Sequence, residues 1–271
     1  MSNRFEVAAH ELEAYERDGV VCLRNVVPPA RCRQMLSAVH AYLERGQGRI
    51  QEAKATEDGP RLIGAVFMSV LDKEFREFSR DSALPEVAAQ LMRVERVRFF
   101  YDQMFIKEPG TPEPTPWHND LPFWPMRGND LISLWVALTP VTKESSGVEY
   151  LAESHKTGTL FQAIGFGGYS IPPAAGQLPC PNYLDHSLRR SDQRFLSWDM
   201  QPGDVLCHHP LTAHGSGANN SKTQLRVGLS VRYLGRDVIW DPRPGTMKIV
   251  PRPPAINAGD YPADDEVFPL L

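Results

Sequence analysis

The sequence predicts one domain built mainly of β-strands with flanking helices. Two long runs, 131–138 and 226–233, are rich in β-branched and aromatic residues and read as strands. No linker-like stretch divides the 271 residues, and the residues that could carry chemistry come from both halves of the chain. A hydrophobic fraction of 42% supplies ample material for a core.

In chain order, 19–27 reads as a first strand around Val20-Val21-Cys22-Leu23. Pro29 opens a helix over 30–44, where Met35, Leu36, Val39, Tyr42 and Leu43 recur at helical spacing, and Gly46 stops it. A second helix over 84–92 carries Pro85 in its first turn. Residues 96–107 form a long strand ending at Pro109-Gly110, and 112–116 is a proline-stiffened lead-in to Trp117-His118. Residues 158–195 show little periodicity, with Gly and Pro concentrated between 165 and 182. Long structureless segments in compact domains are often lids or binding loops. This one is therefore the main candidate for substrate selection, against a surface insertion without a role. Pro202-Gly203-Asp204 makes a turn before a strand over 205–209.

A net charge of −4, from 29 basic and 33 acidic residues, gives no field that favours nucleic acid or an anionic membrane. The first ten residues lack a signal-peptide core, and no apolar run reaches membrane-spanning length. Cys22, Cys32, Cys180 and Cys207 show no CxxC spacing, so reduced thiols in a cytoplasmic protein are expected, a compartment that also keeps iron ferrous.

The chemistry concentrates in Trp117-His118-Asn119-Asp120, answered by His214 and then Arg226. Two imidazoles and one carboxylate are the ligand set of non-haem Fe(II) oxygenases, which hold iron by one face. Residues i and i+2 of an extended strand point the same way, so His118 and Asp120 reach one ion if they share a strand end. Arg226 lies twelve residues beyond His214, far enough for the chain to turn and return on the next strand. A guanidinium fork binds a carboxylate bidentately, as the distal carboxylate of 2-oxoglutarate requires, and the Ser216 hydroxyl could join it. The ligand set and Arg226 form one coherent site.

The chain resembles the phytanoyl-CoA dioxygenase-like family of Fe(II)/2-oxoglutarate oxygenases. The resemblance runs through Tyr15-Glu16-Arg17-Asp18-Gly19, Tyr101-Asp102-Gln103, Thr115-Pro116-Trp117-His118-Asn119-Asp120, Ser133-Leu134-Trp135, Gly147-Val148-Glu149-Tyr150, Gln201-Pro202-Gly203-Asp204 and His214-Gly215-Ser216. It implies a double-stranded β-helix, a jelly-roll, cupin-like barrel flanked by helices. It also implies Fe(II) on His118, Asp120 and His214, and 2-oxoglutarate on Arg226 and Ser216, with O2 as oxidant. The implied domain spans 1–271, with a helical part over about 1–95, a barrel core over about 96–240 and an extended C-terminal tail. Asp120 favours hydroxylation or a related oxidation over halogenation, since halogenating relatives lack the carboxylate. Asn119 stands where the family often has Gln, but a side chain between two ligands points away from the metal. Ala152-Glu153 replaces a common Pro-Gly before Ser154-His155, which affects a turn.

Other residues carry competing readings. The resemblance places Gln103 and Lys107 beside the metal-bearing strand, where they either contact the co-substrate or form a buried polar pair. Trp117, Phe123, Trp124 and Trp135 are barrel core by default, with Trp135 the one expected to line the pocket. Only one of the adjacent His208 and His209 can face the interior; each could compete with His214, but packing or support of a ligand suits them better. His155 reads as structural. Arg127, Arg232 and Arg236 are candidate anchors for an anionic substrate, with nothing in the sequence lifting them above surface charge. The expected substrate is a small soluble metabolite. The competing class is a non-catalytic jelly-roll that binds a metal or ligand, for which Arg226 has no use.

Overall fold

The structure is a computed structural model that describes residues 5–168 and 171–271. Its elements are the helices α1 (Ala9–Asp18), α2 (Pro29–Arg45), α3 (Met68–Leu71), α4 (Lys73–Asp81) and α5 (Leu84–Met92), and thirteen strands. The strands are β1 (Val20–Leu23), β2 (Arg49–Ala53), β3 (Leu62–Val66), β4 (Arg98–Lys107), β5 (Thr115–His118), β6 (Met126–Arg127), β7 (Leu131–Ala137), β8 (Glu149–Leu151), β9 (Phe195–Leu196), β10 (Val205–His208), β11 (His214–Ser216), β12 (Arg226–Leu234) and β13 (Ile239–Trp240). One seven-stranded sheet runs β1-β10-β7-β12-β4-β3-β2, and a four-stranded sheet runs β5-β11-β8-β9. Every paired strand is antiparallel. Two antiparallel sheets with helices on one outer face are the jelly-roll expected from the sequence.

Period-two alternation decides what each face of the large sheet carries. On β12, Val227, Leu229, Val231 and Tyr233 join the core beneath the helices, against Met35, Val39, Phe75 and Leu91. The intervening Arg226, Ser230 and Arg232 line a cavity on the opposite face. The same alternation sends Leu134 and Val136 of β7 to the helices and Trp135 to the cavity. Met104 and Ile106 of β4 likewise face the helices, while Gln103 and Phe105 face the cavity. The sheet is thus a partition with an apolar helix side and a polar, chemistry-bearing side.

The helix ends follow local chemistry. Pro29 sits in the first turn of α2, and Gly46 closes it with a left-handed φ of 60°. The Asp72 carboxylate accepts from the Glu74 backbone N–H at 2.8 Å and so caps α4. The N-terminal part is less purely helical than expected, because β1, β2 and β3 extend the large sheet. The run Leu62-Ile63-Gly64-Ala65-Val66 is apolar without alternation, since both its faces are covered. β2 is an edge strand with a largely exposed polar sequence, which leaves no periodic signal. Among the described residues no helix is long and apolar enough to cross a membrane.

Candidate metal centre and co-substrate pocket

The two sheets bring the predicted ligands together by strand register. His118 at the end of β5 stands directly opposite His214 at the start of β11, and directly opposed residues put their side chains about 5 Å apart on one face. The His118 and His214 rings lie 4.3 Å apart between centroids. Asp120 departs from the expected geometry. β5 ends at His118, and Asp120 has helical dihedrals (φ −74°, ψ −37°) at the entrance to a single 3-10 turn over Leu121–Phe123. The Asp120 and Leu121 N–H groups both donate to Pro210 O, at 2.8 and 3.1 Å, and this tie turns the chain. The carboxylate still reaches the imidazoles: Oδ1 lies 3.6 Å from His118 Nε2. One ligand atom from each of His118, Asp120 and His214 fits within 4.8 Å of the others.

The environment suits a divalent cation. His118 Nδ1 lies 2.7 Å from Pro116 O, and His214 Nδ1 lies 2.9 Å from Thr212 O. Each ring thus spends its Nδ1–H on a carbonyl two residues back, which leaves Nε2 as a lone-pair donor. Burial, followed by the neighbouring His118 and His208, pushes His214 well below the usual histidine range and keeps it neutral. Burial works to raise the Asp120 carboxyl, but hydrogen bonds with His118 and His208 prevail and hold it well below the usual carboxylate range. His208 faces inward, with Nε2 3.3 Å from Asp120 Oδ2 and Nδ1 3.2 Å from the Tyr150 hydroxyl. Its free nitrogen is therefore committed to the carboxylate, a supporting position. His209 faces away, 5.5 Å from His155 between ring centroids.

Beside the triad lies a second polar group. Arg226, 2% exposed, opens β12 directly opposite Lys107 of β4. The Lys107 ammonium donates to Gly217 O at 2.7 Å and to Ser216 Oγ at 3.2 Å. Burial, reinforced by the Arg226 charge, pushes Lys107 well below the usual lysine range. Burial pushes Arg226 down to about 10. Arg226 Nη2 donates to Ser146 O at 3.2 Å, while its buried Nε has no partner among the described residues. Its guanidinium carbon sits 4.9 Å from the Trp135 ring centre. Neither cation has an ion-pair partner within 4 Å among the described residues. Buried charges are normally paired; the Glu113 carboxylate acts on Lys107, and Arg226 is left able to take an anion from the cavity.

A cavity of about 460 Å3 joins both groups. Gln103 and Trp135 line it, as do Phe123 and Trp124, whereas Trp117 packs away against Tyr183 and Phe195. Gln103 makes no hydrogen bond to Lys107 among the described residues, so of the two readings weighed for them the buried pair does not form. The irregular 158–195 segment contributes Ile164–Gly167 and Ile171 to the wall; Tyr169 and Ser170 of that segment lie outside the described residues. The Phe166 ring lies against Gly64, where a Cβ would come within 2.4 Å of it. Asn119 points away from the cavity and anchors this segment: Nδ2 donates to Thr159 O at 2.7 Å, and Oδ1 accepts from Phe161 N at 3.2 Å.

Several wall residues were not legible as such. Phe67, Arg49 and Gln51 come from the N-terminal part, and Gly245–Lys248 from the proline-rich tail, which reads as a trailing segment in sequence. Of the three arginines weighed as anchors for an anionic substrate, Arg232 is lifted above surface charge: it is 3% exposed and faces the cavity. Nothing in the pattern marked it except its place on the even-numbered face of β12.

A family model of phytanoyl-CoA dioxygenase (PhyH) matches residues 15–228. The chain is 23% identical over 250 residues to a probable phytanoyl-CoA dioxygenase of Caenorhabditis elegans, covering 86% of this chain and 77% of that protein. It is 24% identical to a probable alpha-ketoglutarate-dependent hypophosphite dioxygenase of Stutzerimonas stutzeri, covering 72% and 77% respectively. Among solved structures it superposes on the non-heme alpha ketoglutarate dependent carbocyclase SnoK from nogalamycin biosynthesis with a TM-score of 0.74, at 20% identity, covering 98% and 97% of the two chains. The chain belongs to the phytanoyl-CoA dioxygenase family. It is a dioxygenase that depends on Fe(II) and 2-oxoglutarate.

Proposed function

We propose that this dioxygenase hydroxylates, or otherwise oxidises, an unactivated C–H bond of a small-molecule metabolite, converting 2-oxoglutarate and O2 to succinate and CO2. His118, Asp120 and His214 hold the metal through Nε2, a carboxylate oxygen and Nε2. Arg226 and Ser216 take the distal carboxylate of 2-oxoglutarate, with Lys107 holding Ser216 in place. The observation that carries this reading is the buried Arg226, without an ion-pair partner among the described residues, beside a complete triad. A dicarboxylate that reaches from the triad to Arg226 supplies the missing charge.

Fe(II), when bound, supplies the redox chemistry that activates O2. The chain's own residues bind, orient and shield. His208, braced by Tyr150, keeps Asp120 Oδ2 occupied, so that Oδ1 is the oxygen turned to the metal side. The Trp135 ring flanks the Arg226 guanidinium, and Trp124, Phe123 and Phe166 wall the cavity against bulk water. The aspartate ligand favours hydroxyl transfer over halogenation. Substrate choice falls to Ile164–Gly167 and Met247, which close the cavity from outside the sheets.

An anaerobic titration of the metal-free protein with Fe(II), then with 2-oxoglutarate, tests the assignment. A visible charge-transfer band in the wild type that is lost in His118→Ala supports it. A folded, metal-loaded wild type without that band would refute the proposed chelate, and succinate release persisting in His118→Ala or Asp120→Ala would refute the ligand roles.

A further inference from the structure

Arg232 is a second buried cation of the cavity, six residues beyond Arg226 on the same face of β12. Its surroundings are specific. The pairing of β12 with β4 slips between Arg232 and Tyr233, so that Arg232 faces Tyr101 and Tyr233 faces Phe99. This bulge leaves Phe100 as an extra residue, and bulges commonly re-aim side chains near functional sites. Here it turns two consecutive aromatics, Phe100 and Tyr101, towards Trp124. The Trp124 ring centre lies 5.4 Å from that of Phe100, and Trp124 Nε1 donates to the Tyr101 hydroxyl at 2.9 Å. The Arg232 guanidinium carbon sits 4.4 Å from the Tyr101 ring centre and 5.9 Å from that of Trp124. The rings satisfy the face of the guanidinium and fix its plane. Its polar atoms are not satisfied: Nε and Nη1, on opposite sides of the group, are buried and have no hydrogen-bond partner among the described residues.

The charge of the cavity wall points the same way. Among the described lining residues Asp120 is the one acidic side chain, against Arg49, Arg226, Arg232 and Lys248. Asp120 is spoken for by the metal and Arg226 by 2-oxoglutarate. A chain of net charge −4 has therefore concentrated surplus positive charge in its cavity. Lined clefts of one sign raise the local concentration of the opposite ion.

We propose that the primary substrate is an organic acid, its carboxylate drawn to the Arg232 guanidinium and its apolar body against Phe123, Trp124 and Met247. This rests on the reading of the cavity as an oxygenase site and adds the class of its substrate. A buried guanidinium already oriented by two rings gives a carboxylate a charge-assisted hydrogen bond. A neutral amide of the same shape forfeits the charge-assisted pair.

The test uses anaerobic protein loaded with Fe(II) and 2-oxoglutarate, and calorimetric titration with three acids, 3-phenylpropanoate, 4-phenylbutanoate and decanoate, each beside its primary amide. In the wild type at least one acid binds roughly ten- to hundredfold more tightly than its amide, the range expected for a charged hydrogen bond. In Arg232→Gln that preference disappears, while the 2-oxoglutarate charge-transfer band forms as before. Arg232→Lys, which keeps the charge without the guanidinium, retains part of the preference and covers the case in which Arg232→Gln does not fold. Equal binding of acids and amides, no binding of any acid, or a preference that survives in a folded Arg232→Gln each overturn the proposal. Absence of the band in the wild type would instead sink the oxygenase reading, so the two failures are distinguishable.

Discussion

Gly228 offers the sharpest test of how the co-substrate end of the cavity is built. It lies between Arg226 and Ser230 on the cavity face of β12, and the Trp135 ring crosses directly over it. A Cβ added at Gly228 would fall 1.9 Å from Trp135 Cζ2 and 2.2 Å from Cε2. Real Cβ atoms do not approach a ring this closely, so something must move. The backbone cannot, because β12 is paired on both sides there, to Phe105 of β4 and Ala137 of β7. The indole must therefore swing off its position, and it is the same ring that flanks Arg226 at 4.9 Å. Overpacking of this kind costs about 1–3 kcal/mol of stability. Removing a desolvated ring from a guanidinium costs about 1–2 kcal/mol of its positioning, which corresponds to roughly a 5- to 30-fold rise in the Kd for 2-oxoglutarate. Gly228→Ala should therefore melt earlier than wild type and need more 2-oxoglutarate to develop the charge-transfer band, with Fe(II) affinity little changed. Arg226→Ala gives the upper limit, losing the charged contact altogether, and should raise the 2-oxoglutarate requirement far more than that for substrate. A folded Gly228→Ala whose 2-oxoglutarate Kd stays within about twofold of wild type, well below the range just derived, would refute the role given to Trp135.

Two further outcomes follow from buried polar groups. Asn119→Ala leaves Thr159 O and Phe161 N without their partner, at a cost of about 1–3 kcal/mol; amide exchange over 159–163 should accelerate while β12 stays protected, and unchanged exchange there would remove Asn119 as the anchor of the segment. Asp102 is buried and accepts from Ser69 N at 3.0 Å and Ser69 Oγ at 3.1 Å; burial raises its carboxyl from 3.8 to about 6 despite those bonds. The folded state thus holds this proton more tightly than the unfolded chain, so the contribution is present below pH 3.8 and lost as pH rises through about 6. Asp102→Asn should be nearly neutral at pH 4 and more stable than wild type above pH 7, by at most about 3 kcal/mol. A stability difference that stays flat between pH 4 and 8 would contradict the assignment.

What the sequence revealed of this protein depended on whether a residue's role left a periodic or spaced trace. β12 was legible because every second residue is apolar against the helices, and α2 because its apolar spacing and its Pro29 and Gly46 ends agree. His118, Asp120, His214 and Arg226 were legible as a spaced set, although Asp120 reaches its place from a turn rather than from a strand. β2 was not, because an edge strand facing solvent needs no alternation. The wall residues Met247 and Lys248 were not, because an irregular proline-rich tail owes its place to backbone ties such as Met247 N to Phe123 O, which no side-chain pattern records. Arg232 was the hardest case. A cation next to a strand end is ordinarily solvated; alternation along β12 puts this one on the cavity face, and the aromatics gathered at the bulge of β4 cover it.

The position of that bulge has a consequence for selectivity. Arg226 and Arg232 are fixed to one strand, and six residues of extended chain span about 20 Å. Lys107 and Ser216 belong to the Arg226 end by register and hydrogen bonding, and His214 is two residues further along β11. Asp120 lies nearer the other end, within reach of the Arg232 charge, though His118 and His208 do most to hold its carboxyl low. The triad therefore falls between two cations whose separation the strand itself sets. With 2-oxoglutarate on one cation and an acid on the other, the carbon presented to the metal is chosen by its distance from the substrate's own carboxylate. On this geometry the position oxidised is measured by β12, and chain length in a homologous series of acids, rather than ring substitution, should decide which compounds turn over.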